Sequence, residues 1–133
     1  MKVTNLLNVL VIGVGGGGGG DLNFFAEVVN YLVAFGHRAE LAVTSAEGIS
    51  MALQARGQFE LIITGHSPVE EVNGHEVLRR ILVAFPSTKI WFLEINRERE
   101  NYEEAERLGA EKTLECQDLQ TLLRAMKLCE VTS

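Results

Sequence analysis

Aspartate is scarce in this chain: Asp21 and Asp118 are the only two in 133 residues, and both fall at expected helix starts rather than at strand ends. Clustered cations are also missing. Twelve Lys and Arg against eighteen Asp and Glu leave a net charge of −6. Nucleic acid is therefore not an expected partner, because phosphate binding needs grouped Lys and Arg to displace counterions. Cysteine occurs only as Cys116 and Cys129, on either side of an expected helix, so no structural disulfide is expected and both are read as reduced. No apolar run approaches the ~20 residues that cross a bilayer. Met1-Lys2-Val3-Thr4-Asn5 carries one basic residue, no small-residue cleavage site precedes Asp21, and Gly15 to Gly20 would interrupt a signal core. The expectation is a cytoplasmic chain with no membrane segment.

What remains is an interior of aliphatic residues. Apolar residues make up 47% of the chain and aromatics only 7%, the balance of an α/β core rather than of a disordered segment. The length fits one domain spanning 1–133, able to remove roughly two-thirds of its unfolded surface from water. Asn8 to Val14, Ala39 to Thr44, Glu60 to Thr64 and Lys89 to Leu93 are short β-branched or aliphatic runs, separated by stretches of helical spacing. That alternation predicts a parallel sheet covered on both faces. A first helix is expected from a cap at Asp21 to a stop at Gly36. Thr44-Ser45-Ala46-Glu47 is a capping box opening a second helix, which Gly57 ends. Val77, Leu78, Ile81, Leu82 and Phe85 stripe a third helix closed by Pro86, and Asn96 to Leu108 form a charged fourth with Tyr102, Ala105 and Leu108 inward. Lys112 to Leu114 gives a fifth strand, and Leu119, Leu122, Leu123 and Met126 stripe a last helix. The tally is five strands and five helices.

Three stretches give this frame a likeness. Phe59-Glu60-Leu61-Ile62-Ile63, Asn73-Gly74-His75-Glu76-Val77-Leu78-Arg79-Arg80-Ile81 and Leu108-Gly109-Ala110-Glu111-Lys112-Thr113-Leu114 resemble segments of the CheY-like receiver domain of two-component response regulators. The resemblance covers nearly the whole chain and implies a flavodoxin-like, doubly wound sandwich with sheet order 2-1-3-4-5. It also implies a catalytic constellation at the carboxyl ends of the strands: an acidic pair, a phospho-accepting Asp, a Ser or Thr, and a Lys. The carboxylates would hold Mg²⁺, and the hydroxyl and Lys would contact phosphoryl oxygens.

At those positions this chain has other residues. Gly13 and Val14 stand where the acidic pair would be, and Gly65 stands at the acceptor, with Thr64 or His66 as its neighbours in register. Glu94 replaces the switch hydroxyl, and Cys116 falls at or beside the lysine position. The concerted change describes a degenerate pseudo-receiver that keeps the scaffold and discards the phosphate switch, with no metal, no cofactor and no enzymatic activity expected.

The tract Gly15, Gly16, Gly17, Gly18, Gly19, Gly20, followed by Asp21, lengthens the loop after the first strand by about six residues. In a 2-1-3-4-5 sheet that loop borders the switch point where doubly wound proteins bind ligands. Gly13, Gly15 and Gly18 satisfy G-x-G-x-x-G, though in so glycine-rich a tract the match is nearly automatic, and no ribose-binding acid closes the second strand. A small-ligand sensor for nucleotide or phosphate is thus the second reading, against a bland flexible loop.

His66 and His75 bracket Glu70 and Glu71 without a metal-site spacing. Cys116 lacks a basic neighbour that would activate it, and Trp91 reads as core. The fourth helix carries Glu98, Glu100, Glu103, Glu104 and Glu106 among Arg97, Arg99 and Arg107, with Glu103 and Arg107 able to pair. In receivers the surface of the fourth and fifth helices is a usual docking face. The resemblance therefore implies a protein partner there, whether a kinase, an output protein or another receiver, including a homodimer. The leading expectation is a stand-alone receiver-like domain that signals by protein contact without Asp phosphorylation.

Overall fold

A computed structural model describes residues 7–13, 20–34, 36–65, 74–94 and 99–115 of the chain. The five strands are β1 Asn8–Ile12, β2 Arg38–Ala42, β3 Leu61–Gly65, β4 Lys89–Glu94 and β5 Lys112–Glu115, and the central three carry continuous apolar runs. All neighbouring pairs are parallel, in the order β2-β1-β3-β4-β5. Because side chains alternate along a strand, the central strands split their apolar residues between two faces. Val9, Val11, Leu61, Ile63, Trp91 and Leu93 face one core, with Phe25, Val28 and Leu32 of helix α1 (Gly20–Ala34). Leu10, Ile12, Ile62, Ile90 and Phe92 face the other. That second core is covered by α2 (Ser45–Gln54), α3 (Gly74–Ala84) and, through Ala105, α4 (Arg99–Leu108). Each large apolar side chain so buried stabilises the fold by about 1.5–3 kcal/mol relative to exposure.

The helix punctuation follows local chemistry. Gly36, at φ 92°, ends α1, and its N–H and that of His37 donate back to Val33 and Leu32. Thr44 caps α2, accepting the Glu47 N–H at 3.1 Å, while the Glu47 carboxylate accepts the Val43 N–H at 2.8 Å. After α2 the chain turns through Arg56 and Gly57, both with positive φ. His37 is buried, and its Nδ1 accepts the Leu7 N–H at 2.9 Å, tying the start of β1 to the turn before β2.

Several boundaries differ from the sequence expectation. α1 opens at Gly20, so Asp21 is its second residue and not its cap. β1 closes at Ile12 rather than Val14, and β3 runs from Leu61 to Gly65 rather than from Glu60 to Thr64. In α4 the partner of Arg107 is Glu104, at i,i+3, and not Glu103. The described residues hold four helices, not five. The fifth, expected over Leu119 to Met126, lies outside them. No helix among the described residues is long and apolar enough to cross a membrane.

Candidate functional site

Three strands that are neighbours in the sheet, β1, β3 and β4, bring three of the singled-out residues to one edge. Gly13 follows the last residue of β1, is buried, and donates its N–H to the Ala42 carbonyl at 2.7 Å, prolonging the β1–β2 ladder by one bond. Gly65 is the last residue of β3 and pairs with Leu93 of β4. Glu94 closes β4 opposite Glu115 of β5. Gly13, Gly65 and Glu94 therefore share the carboxyl edge of the sheet, Gly13 and Gly65 at the crevice between β1 and β3 where the chain's winding reverses and Glu94 one strand further on. Val14, Gly15 to Gly19, His66 and Cys116 lie outside the described residues. Gly20 and Asp21 form the first turn of α1.

Around Gly65 the packing is close. A Cβ at Gly74, the first residue of α3, would stand 2.0 Å from the Gly65 carbonyl oxygen and 3.0 Å from Cε2 of Phe92. Glycine at 74 is what lets α3 start directly against the end of β3. His75, the next residue, stacks on Phe92 with ring centroids 4.8 Å apart and planes 16° from parallel. Thr64 precedes Gly65, is fully buried on the α2–α3 face, and among the described residues its Oγ1 has no hydrogen-bond partner.

The chemistry available at the edge follows from these residues. Glycine at 13 and 65 offers only backbone groups, with no carboxylate to ligate a cation or accept a phosphoryl group. Among the described residues no group of three or more His, Cys, Asp or Glu is placed to hold a metal ion. His75 is engaged with Phe92, whereas Glu70, Glu71 and His66 lie outside the described residues. The strongest electrostatic feature nearby is on α3. Hydrogen bonds from Arg79, then from Arg80, to the Glu76 carboxylate lower its pKa from 4.5 to about 2. The same bond raises the pKa of Arg79.

Sequence reasoning placed Gly13, Gly65 and Glu94 at the right edge. It missed the Gly65–Gly74 approach, the stacking of His75 and the buried hydroxyl of Thr64. It also read Trp91 as core alone. Trp91 is fully buried, yet its indole N–H donates to Glu111 at 3.1 Å and Lys112 stands over its ring at 5.7 Å. The only sequence signal for these was Asn73-Gly74, which marks a tight backbone.

No protein-family model matches the chain, and no curated protein matches it. Solved structures do. Chemotaxis protein CheY4 of Vibrio cholerae superposes with a TM-score of 0.75 at 21% identity, over 93% of this chain and 98% of that one. A CheY-like response regulator receiver domain protein from Methanospirillum hungatei gives 0.75 at 19% identity, over 94% of each chain. A receiver domain protein from Clostridium thermocellum gives 0.71 at 20% identity, over 93% and 99%. At such identities the likeness speaks for architecture: the chain has the flavodoxin-like fold of CheY-like receiver domains.

Proposed function

We propose that this chain is a receiver-like domain of two-component signalling that works by protein contact, without phosphorylation of an aspartate and without enzymatic activity of its own. The observation that carries the reading is the pair Gly13 and Gly65 at the carboxyl ends of the adjacent strands β1 and β3, on a receiver scaffold. A receiver's phosphoryl transfer consists almost entirely of positioning and charge neutralisation by Mg²⁺, and both need carboxylates there. With glycine at both places, the side-chain ligands of the cation and the acceptor oxygen are lacking together. The scaffold keeps what a partner would read. Among the described residues no cation forms an ion pair with the exposed Glu100, Glu103 and Glu106 of α4, while Glu104 is tied to Arg107. We take this face, with β5 beside it, as the docking surface for a kinase, an output protein or a second copy.

The test is incubation with acetyl phosphate and Mg²⁺ followed by intact-mass measurement. The reading expects unmodified protein, and a stoichiometric, hydroxylamine-labile phosphoryl adduct overturns it.

A further inference from the structure

β2 is a margin of the sheet: among the described residues it has a strand, β1, on one side only. That pairing sorts its main-chain groups. The Arg38 N–H donates to the Leu7 carbonyl at 3.0 Å, and the Ala42 carbonyl accepts the Gly13 N–H at 2.7 Å. Main-chain groups of successive strand residues turn to opposite sides. Arg38, Glu40 and Ala42 therefore address β1, while Ala39 and Leu41 turn their N–H and carbonyl groups outward. The side chains are sorted too. Ala39 and Leu41 lie on the α1 side and are only partly buried against its core. Arg38 and Glu40 share the other face with Ala42, and both are exposed.

Charges on an edge strand ordinarily keep other strands away. Here they leave one pairing open. Two copies of β2 meeting antiparallel about a two-fold axis must match outward residue with outward residue, which restricts the register. With the axis at Ala39, the two Ala39 residues exchange N–H and carbonyl bonds. Arg38 of each copy then stands opposite Glu40 of the other, at non-hydrogen-bonded positions, where facing side chains come closest. Leu41 of each copy reaches diagonally toward Ala39 of the other, covering part of the apolar strip. In the next permitted registers the axis falls on Arg38 or on Glu40 and sets like charges face to face. The strand is complementary to itself in one register and repelled in its neighbours.

We propose that this chain forms a two-fold dimer through β2, with Ala39 at the axis and the two five-stranded sheets joined into one. The dimer rests on the sheet margin alone, so it is independent of docking at α4 and of the phosphorylation question.

The test is sedimentation equilibrium of the full chain from about 10 μM to about 1 mM, the range of small, weak interfaces. The expected result is a concentration-dependent monomer–dimer equilibrium, with amide exchange at Ala39 and Leu41 slowing as dimer accumulates. Arg38→Glu and Glu40→Arg each convert the symmetry-related opposite-charge pairs into like-charge pairs, and each should weaken dimerisation about tenfold. Arg38→Glu combined with Glu40→Arg restores opposite charges in this register alone and should bring the dimer back. A monomer throughout the range, a dimer indifferent to the single reversals, or a double exchange that fails to restore it overturns the proposal. Should a reversal fail to fold, Ala39→Pro deletes an outward N–H of an edge strand and must abolish the dimer; a dimer that survives it equally overturns the proposal.

Discussion

Replacing Gly74 with alanine tests whether α3 is seated against the end of β3. The new methyl carbon would lie 2.0 Å from the Gly65 carbonyl oxygen, 2.7 Å from its carbon and 3.0 Å from Phe92 Cε2. Since real Cβ atoms essentially never approach closer than 3.0 Å, the first turn of α3 must retreat by at least about 1 Å from a backbone that cannot swing aside. Overpacking of this kind costs about 1–3 kcal/mol. The ~1 kcal/mol that alanine gains over glycine in a helix interior is mostly unavailable at the first helical position. A net loss of about 2 kcal/mol lowers the melting temperature of a domain this size by roughly 8 °C. Gly48→Ala is the built-in comparison. The three atoms nearest its methyl would all belong to the side chain of Ile12, at 2.5 to 2.9 Å, and the interior helix gain partly offsets the clash, so its loss should be the smaller. Urea unfolding followed through Trp91, the single tryptophan, measures both. If Gly74→Ala melts within a degree of the parent, or above Gly48→Ala, the close approach of α3 to Gly65 is wrong.

Two further outcomes follow from the same edge and its neighbour helix. Thr64→Val exchanges a buried hydroxyl that has no partner among the described residues for a methyl of nearly the same shape, and should raise stability by about 1–2 kcal/mol in the same urea experiment; a loss would mean the hydroxyl has a bond. Glu76 should titrate near 2 when followed by carboxyl ¹³C shifts, because its folded pKa is depressed below 4.5. Its contribution to stability is then complete above pH 4.5 and disappears as pH falls toward 2. Arg79→Gln should move the midpoint upward, and a midpoint already at 4.5 in the parent protein contradicts the Arg79 and Arg80 contacts.

Much of the scaffold was legible because its signals are local. Parallel strands buried on both faces read as continuous apolar runs, and the centres of β1, β3 and β4 do. Gly36 and Gly57 mark helix exits because the backbone there has positive φ. Thr44 and Glu47 form their cap within four residues. The carboxyl-edge positions Gly13, Gly65 and Glu94 were readable for the same reason: each is simply where a strand stops. What escaped depends on contacts between distant residues. Gly74 needs to be glycine because Gly65 lies beneath it. Trp91 meets Glu111 only because β5 lies beside β4. That no described residue bonds the Thr64 hydroxyl depends on the packing of several elements. Boundary errors at Asp21 and at the ends of β1 and β3 are of one or two residues, the scale on which cap choice is decided by neighbours rather than by sequence.

The most direct test of the central claim is a ¹⁵N–¹H spectrum recorded while Mg²⁺ and beryllofluoride, a mimic of phosphorylated aspartate, are added. With glycine at 13 and 65 the account predicts amides of Gly13, Gly65 and Glu94 that do not move. Saturable shifts at those three strand ends would contradict it, because they would require an acidic site that holds the metal and the phosphoryl mimic at that edge.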